Sequence, residues 1–194
     1  MGKIGIFGGT FDPLHTGHLI VAREVKEILN LDKVLFIPTH TSPHKKRING
    51  APPEIRLEMI KKAIRGIRYF GVDDCEMRRK GISYTVETLV KLKEKYPYDK
   101  LYLIAGSDIT EDFFYSWKDP ERILKLATLC IMNRGNEEKV RKHFQNRKHI
   151  KYVSVTPIDI SSSFIRNRVK KGLPITFYVP SVVERLIYKY GLYI

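Results

Sequence analysis

Residues 8–18 read GGTFDPLHTGH and stand between an apolar run at residues 3–7 and a segment whose apolar residues recur near the helical period. This order predicts a strand, a glycine loop and a helix. Glycines there let backbone N–H groups approach phosphate oxygens, and the helix N-terminus adds a partial positive charge. His15 and His18 are three residues apart, so they share a face of the first helical turn. The stretch therefore predicts a phosphate-binding loop that carries two histidines.

Other chemistries are less favoured for this loop. It matches neither the GxGxxG dinucleotide fingerprint nor a Walker A loop, because the terminal Lys-Ser/Thr pair is missing. His15 and His18 can supply two metal ligands, but no nearby cysteine or third histidine completes a site of familiar spacing. Asp12, in a Phe-Asp-Pro turn, is more typical of a turn or cap than of a metal ligand. Each histidine taken singly also has a structural interpretation.

The alternation of strand and helix continues along the chain. Strand-like apolar runs lie at residues 34–37, 101–105, 128–132 and 150–155. Helical spacing marks residues 55–64, opened by Pro53, and residues 86–92 and 123–126. Alternation without tandem strands indicates parallel βαβ units covered on both sides. We therefore expect an α/β fold with a single doubly wound, Rossmann-like parallel sheet and helices on both faces.

The last third predicts a small C-terminal helical part. Ile165, Val169 and Leu173 are spaced like one helix face, and apolar residues at 182–187 mark a terminal helix. No linker separates this part, so we expect one domain over residues 1–194. Residues 38–53 follow a strand at the sheet edge where open α/β sheets bind ligands, which makes them a candidate substrate loop.

Composition bounds the class of protein. The chain has 194 residues, 43% of them hydrophobic, enough to bury a core. The 35 Lys and Arg residues exceed the 21 Asp and Glu residues, giving a net charge of +14, which attracts nucleic acid or phosphate-bearing metabolites alike. Two cysteines without a CxxC pair, and no apolar run near membrane-spanning length, predict unbridged thiols, a cytoplasmic location and no membrane partner.

Two motifs carry a resemblance to a known family. GGTFDPLHTGH resembles the signature of the bacterial nicotinate-nucleotide adenylyltransferases, within the nucleotidylyltransferase superfamily marked by HxGH. Residues 160–166, ISSSFIR, resemble the second superfamily motif ISSTxIR, with Ser163 in place of Thr. Hydroxyls at a helix start with Arg166 one turn further would grip ATP phosphates. Standing alone, the same segment is also compatible with an ordinary serine N-cap.

Shorter stretches extend the resemblance over nearly the whole chain. Residues 42–45 are similar to the family's PPHK, residues 83–89 to the segment whose Thr meets the nicotinate ring, and residues 106–108 to a Gly-Ala-Asp after a strand. Trp117 falls where the family stacks an aromatic on the pyridine ring. Arg134 lies in a turn that lacks the family's Pro.

The resemblance implies transfer of AMP from ATP to nicotinate mononucleotide without a covalent enzyme intermediate, with Mg²⁺ arriving on ATP and no metal ligand from protein side chains. The implied catalytic residues are His15, His18, Lys45 and Arg166. The implied ATP-binding residues are Gly8, Gly9, Thr10, Phe11, Ser161, Ser162, Ser163 and Arg134. The implied nicotinate mononucleotide-binding residues are Thr85, Gly106, Asp108, Trp117 and His44.

Rival interpretations remain at this point. Phosphopantetheine adenylyltransferase shares an HxGH loop and an ISSS-type segment, but should lack the features of Thr85 and Trp117. A cytidylyltransferase is a weaker alternative. A nucleic-acid-binding module would explain the positive charge, yet no aromatic-basic motif of the known readers is present, so a nucleic-acid partner is not expected. Homo-oligomerisation is left open.

Overall fold

The computed structural model describes residues 1–41, 50–109, 113–133 and 149–194. Six strands form one sheet in the order β3-β2-β1-β4-β5-β6, and every neighbouring pair is parallel. The strands are β1 (Lys3–Gly9), β2 (Lys33–Pro38), β3 (Phe70–Val72), β4 (Lys100–Gly106), β5 (Thr128–Asn133) and β6 (Ile150–Ser154). The predicted doubly wound parallel sheet is confirmed.

Helices connect the strands. Those that the structure describes are α1 (Thr16–Ile28), α2 (Pro53–Ala63), α3 (Cys75–Arg79), α4 (Thr85–Lys95), α5 (Phe113–Ser116), α6 (Pro120–Leu126), α7 (Ser162–Lys170) and α8 (Ser181–Lys189), with a 3-10 turn at Ser107–Ile109. None of these helices is both long enough and apolar enough to cross a membrane.

Both faces of the sheet are covered, which is why the four central strands β1, β2, β4 and β5 are buried along most of their length rather than at alternate residues. Side chains alternate across a strand, so Leu101 and Leu103 enter one cluster while Tyr102 and Ile104 enter the other. The first cluster takes in residues of α3, α4 and α6, and the second takes in residues of α1 and α2. The two clusters are the main core.

The C-terminal helices pack around a third cluster. Ile165 and Val169 of α7 meet Val183 and Ile187 of α8, and Met59 of α2 joins them. This cluster ties the C-terminal part to the second βα unit.

The prediction that Leu173 continues the buried face of α7 is wrong. The helix ends at Lys170, and Gly172 then adopts a φ of +66°, which turns the chain out of the helical path. Leu173 is 42% exposed, and Ile175 takes the buried position instead.

The strand order places a crevice at one point of the sheet. The chain proceeds from β1 to β2 on one side, and β4 later pairs with β1 on the other side. Connections that leave in opposite directions open a gap beyond the carboxyl ends of these two strands, where open α/β sheets bind their ligands. The loops after β1 and β4 therefore flank the candidate site.

Candidate functional site

The glycine loop leaves β1 at this crevice. Gly8 is exposed, and a Cβ there would meet open space. A Cβ on Gly9 would lie 3.0 Å from the ring of Phe11, so that side chain sets the need for glycine. The two glycines leave the end of β1 open to a bulky anion.

Phe11 holds the loop in a strained conformation. Its φ of +47° is unusual for a residue with a side chain and costs roughly 1–3 kcal/mol. The ring is buried and packs edge-on against Phe7 and Phe36, with centroids 5.7 and 5.6 Å away. Aromatic packing thus offsets the backbone strain and fixes the turn that follows.

The two histidines lie together at the start of α1. Their rings stack with centroids 3.5 Å apart, and the His18 ring is 5.0 Å from that of Phe11. The backbone N–H of His15 donates to Nδ1 of His18 across 3.2 Å. Because Nδ1 accepts this bond, the neutral His18 ring carries its proton on Nε2 and presents a donor there.

Gly17 makes room for this pair. A Cβ at Gly17 would lie 3.1 Å from Nδ1 of His15 and 3.3 Å from Cγ2 of Ile158. The glycine of the HxGH pattern is therefore required by the packing of the first histidine.

The serine-arginine turn, which is residues 160–166 at the start of α7, reaches the same loop. Arg166 on α7 donates from Nη1 to the carbonyl oxygen of Asp12 (2.7 Å) and from Nη2 to Oγ of Ser163 (3.1 Å). The Ser162 hydroxyl donates to the carbonyl oxygen of Pro13 (2.9 Å). The two motifs, about 150 residues apart in sequence, meet in space, with their contacts spanning 154 and 149 residues.

A second set of bonds supports this meeting. Thr16 donates its backbone N–H to the carbonyl of Tyr178 and its hydroxyl to that of Phe177, each across 2.9 Å. Ser161 caps α7 by accepting from the backbone N–H of Phe164 (3.1 Å). The N-cap interpretation is therefore correct for Ser161. Ser162 instead bonds to Pro13 in the glycine loop, and Ser163 accepts from Arg166 within α7.

A cavity of about 400 Å³ opens beside the glycine loop. The loop contributes Gly8, Gly9 and Thr10 to its lining. Three other segments contribute the rest of the predicted residues: the start of α4 (Thr85), the end of β4 with the 3-10 turn (Gly106 and Asp108), and the residue after α5 (Trp117). Seven of the residues that the sequence assigned to the two substrates thus share one cavity. The cavity lining does not include His15, His18 or Arg166. The two histidines lie at the start of α1, and Arg166 lies in the first turns of α7.

The far wall of the cavity is built by α4, α5 and the 3-10 turn. Thr85 is the first residue of α4, so the positive end of that helix faces the cavity. Trp117 follows α5 and packs on Phe113, with ring centroids 5.2 Å apart. The carboxylate of Asp108 folds back over Gly106, where any Cβ would collide with it.

Three predicted site residues, His44, Lys45 and Arg134, lie outside the described residues. Within the described ranges, no three His, Cys, Asp or Glu side chains are grouped closely enough to hold a metal ion.

Sequence reasoning missed Arg56, which is completely buried beneath the loop. Its guanidinium donates to four backbone carbonyls: Thr10 and Thr39 (2.7 Å each), His40 (3.1 Å) and Ala51 (3.2 Å). The planar, five-donor group of arginine suits such a task. Arg56 joins the ends of β1 and β2 to the start of α2.

A signal for this role exists in the sequence. Arg56 precedes Met59 and Ile60 by three and four residues, so it shares the buried face of α2 with them. A charged residue at an apolar position of a helix indicates a buried polar partner set.

Glu76 is a second buried ionisable side chain that the sequence analysis did not identify. It lies on α3, lines the cavity, and its Oε1 accepts from the Thr88 hydroxyl across 2.6 Å. Burial raises the pKa of the Glu76 carboxyl above its ordinary value, although hydrogen bonds from Thr88 and Ser83 oppose the shift. Glu76 therefore retains its proton to higher pH than an exposed glutamate.

The two cysteines do not provide a nucleophile. Cys75 and Cys130 are buried and unbridged, as predicted. Burial raises the pKa of each thiol to about 12, so both stay protonated and unreactive at neutral pH.

Comparison with known proteins agrees with this arrangement. The model of the cytidylyltransferase-like family matches residues 6–168. A relative from Borrelia garinii, named probable nicotinate-nucleotide adenylyltransferase, is 40% identical over 192 residues, which is 99% of this chain and 95% of the relative. One of the same name from Clostridium perfringens is 41% identical over 200 aligned positions, covering 100% of this chain and 98% of the relative.

Solved structures share the fold. Plasmodium falciparum nicotinic acid mononucleotide adenylyltransferase complexed with NaAD aligns with a TM-score of 0.82 at 23% identity, over 100% of this chain and 98% of that one. The same enzyme complexed with APC aligns with a TM-score of 0.79 at 22% identity and the same coverage. At these identities the likeness supports the Rossmann-like architecture.

Arg56→Lys should lower the free energy of unfolding by about 1–3 kcal/mol, because a three-donor ammonium leaves at least one of four carbonyls without its donor. Urea unfolding measures the change. Arg65→Lys is the control, since Arg65 is exposed just after α2, and its change should stay within about 0.5 kcal/mol. Equal stabilities for the two variants would contradict the bracing role of Arg56.

Glu76→Gln should flatten the pH dependence of stability. With a raised pKa in the folded state, wild-type Glu76 contributes stability that is complete below its ordinary value of 4.5 and is lost as pH rises through the folded value. Glutamine keeps the acceptor for Thr88 without titrating. Urea unfolding from pH 4.5 upward should show a smaller loss in the variant.

Glu87→Gln serves as the control for this titration. The hydrogen bond from Lys118 lowers the pKa of Glu87. The stability that Glu87 contributes is therefore lost as pH falls, rather than as it rises. If Glu76→Gln followed the same pH profile as wild type, Glu76 would not be the titrating group.

Proposed function

This chain belongs to the nicotinate-nucleotide adenylyltransferases of the cytidylyltransferase-like family, and from that premise we propose that it transfers AMP from ATP to nicotinate mononucleotide. The products are nicotinate adenine dinucleotide and pyrophosphate, a step of NAD biosynthesis. One observation carries the proposal: the HxGH loop and the serine-arginine turn are joined through Asp12 and Pro13, directly beside a cavity lined by Thr85, Asp108 and Trp117.

The reaction needs positioned charge rather than a protein nucleophile. An oxygen of the mononucleotide phosphate attacks the α-phosphorus of ATP, and the bond from that phosphorus to the α,β-bridging oxygen breaks. Pyrophosphate leaves with the bonding electron pair. Negative charge grows on the oxygens around the transferring phosphorus, so the donors at the start of α1 have to face them.

His18 is assigned to the α-phosphate because its Nδ1 accepts from the backbone N–H of His15, which makes Nε2 the ring nitrogen that carries the proton of the neutral imidazole. His15 and Thr10 are assigned to the bridging and transferring phosphates. The stacking of the two rings keeps both at the helix start, where the backbone dipoles add positive potential.

Arg166 is assigned to the leaving pyrophosphate. Two of its nitrogens already bond to Asp12 and Ser163, which fixes the guanidinium plane, and about a third of its side chain is exposed. Ser162 gives its proton to Pro13, so its contribution is to hold the start of α7 in place. Lys45 is proposed as a further pyrophosphate ligand, His44 as a mononucleotide contact and Arg134 as an adenine-side contact.

In this proposal Mg²⁺ is carried by ATP. Hard divalent cations in such sites are held largely by phosphate oxygens and water, and bound Mg²⁺ supplies neutralising charge. Asp12, the carboxylate of the loop, fits a structural role rather than that of a metal ligand, because its Oδ1 already accepts from Ala51 and Tyr193.

The mononucleotide occupies the cavity in this proposal. Trp117 provides a flat surface for the pyridine ring, and Asp108 lies where it can accept from ribose hydroxyls. The nicotinate carboxylate faces the start of α4 at Thr85, near Lys118, whose Nζ lies 4.4 Å from the Tyr84 ring centroid and 2.8 Å from Oε1 of Glu87.

A pyrophosphate-release assay tests the function as a whole. Pyrophosphate should appear only when ATP and nicotinate mononucleotide are both present. Release with 4′-phosphopantetheine instead would identify the rival adenylyltransferase, and no release with either acceptor would contradict the assignment.

His18→Ala should lower kcat by about 10²–10³-fold while the protein stays folded, which is the magnitude for losing one donor to developing charge. His149→Ala is the control, since His149 is exposed beside β6 and should keep the wild-type rate. Steady-state kinetics and circular dichroism measure both. A rate within fivefold of wild type for His18→Ala would refute its role.

The acid form of the acceptor should be preferred at least tenfold in kcat/KM over nicotinamide mononucleotide. A carboxylate gains more than a neutral amide from a helix N-terminus and charge-assisted hydrogen bonds. Parallel assays with the two mononucleotides at fixed ATP give the ratio, and a ratio of one would overturn this selectivity.

A further inference from the structure

The last turn of the chain returns to the glycine loop. The hydroxyl of Tyr193 donates to Oδ1 of Asp12 across 2.7 Å, although the two residues are 181 positions apart. The side chain of Tyr193 is half-buried.

The C-terminal cap of α8 positions the side chain of Tyr193. After α8, Gly191 adopts a φ of +56°, the N–H of Leu192 bonds to the carbonyl of Ile187, and that of Gly191 bonds to Tyr188. These are the two bonds of a Schellman motif, which reverses the chain at a helix end. Leu192 and Tyr193 then pack against the third cluster, so the tail is held by apolar contact as well.

Asp12, the acceptor, is the junction of the loop. Its side chain is only 5% exposed, and Oδ1 also accepts from the backbone N–H of Ala51 (2.9 Å). Its carbonyl oxygen accepts from Arg166 (2.7 Å), whose Nη1 lies 4.0 Å from Oδ2. Through one residue, the tail, the start of α2, the phosphate loop and α7 are connected.

We propose that Tyr193 is a positioning residue for the transfer step, holding Asp12 and through it the guanidinium of Arg166 and the turn that leads to the histidines. The proposal rests on the proposed function. Loss of the hydroxyl leaves the mononucleotide cavity intact, because Thr85 and Trp117 are supported by other elements. The expected consequence is a slower transfer step with nearly unchanged binding, since small misplacements of aligned groups are costly for the rate.

Tyr193→Phe tests this with a matched control on the same tail. Tyr190 also donates its hydroxyl to a carboxylate, Oε2 of Glu58 at 3.1 Å, but on the exposed surface between α2 and α8. We expect Tyr193→Phe to lower kcat about tenfold with both KM values within about twofold of wild type. Tyr190→Phe should keep wild-type kinetics.

A double-mutant cycle with Asp12→Ala, which removes the carboxylate that accepts from Tyr193, adds a readout that a purely structural role would not change. If Tyr193 acts through Asp12, Tyr193→Phe should slow the wild type but cause no further loss in the Asp12→Ala background, where the acceptor of the tyrosine hydroxyl is gone. Rates are compared well below each variant's unfolding midpoint. Equal fold-losses in both backgrounds, unchanged kcat in Tyr193→Phe, or an equal loss in Tyr190→Phe would each overturn the proposal.

The wild-type assay separates the two levels of inference. Absence of pyrophosphate release by the wild-type protein would count against the proposed function. Normal wild-type release with kcat unchanged in Tyr193→Phe would leave the function standing and remove the positioning role.

Discussion

A loop that presents its N–H groups to an anion turns carbonyl oxygens back into the protein, and each buried carbonyl needs a donor. Here the donors are side chains from distant segments. Arg56 serves Thr10, Arg166 serves Asp12, and Ser162 serves Pro13. The shape of the glycine loop therefore depends on residues that are not part of it, and its strained Phe11 is tolerated because aromatic packing and these bonds together fix the turn.

Two of these donors are cationic, which gives them an electrostatic effect in addition to their hydrogen bonds. Arg56 is fully buried and Arg166 is partly exposed, so the first braces the loop from below while the second can still meet a phosphate. Arg56 adds positive charge beneath the glycine loop, and Arg166 adds it where α7 meets that loop. Preorganised charge of this kind stabilises a phosphoryl-type transition state without rearrangement during the reaction.

The sheet brings the two substrate regions together. β1 and β4 are neighbours, so the loop after β1 and the 3-10 turn after β4 open on one crevice, with the start of α4 closing its far wall. The buried thiols of Cys75 and Cys130 lie in the core and take no part. A direct transfer between two bound nucleotides is the chemistry that such a site suits.

Periodicity and motif chemistry are local, so the sequence predicted five of the six strands, the main helices and the two motifs that meet in the folded chain. It missed β3, which has three residues and pairs only with β2, and it carried the face of α7 too far, to Leu173. The contacts of Arg56, Asp12, Glu76 and Tyr193 arise only in the folded chain. Their partners lie up to 181 residues away, and a hydrogen bond across that distance leaves no periodic trace in the chain.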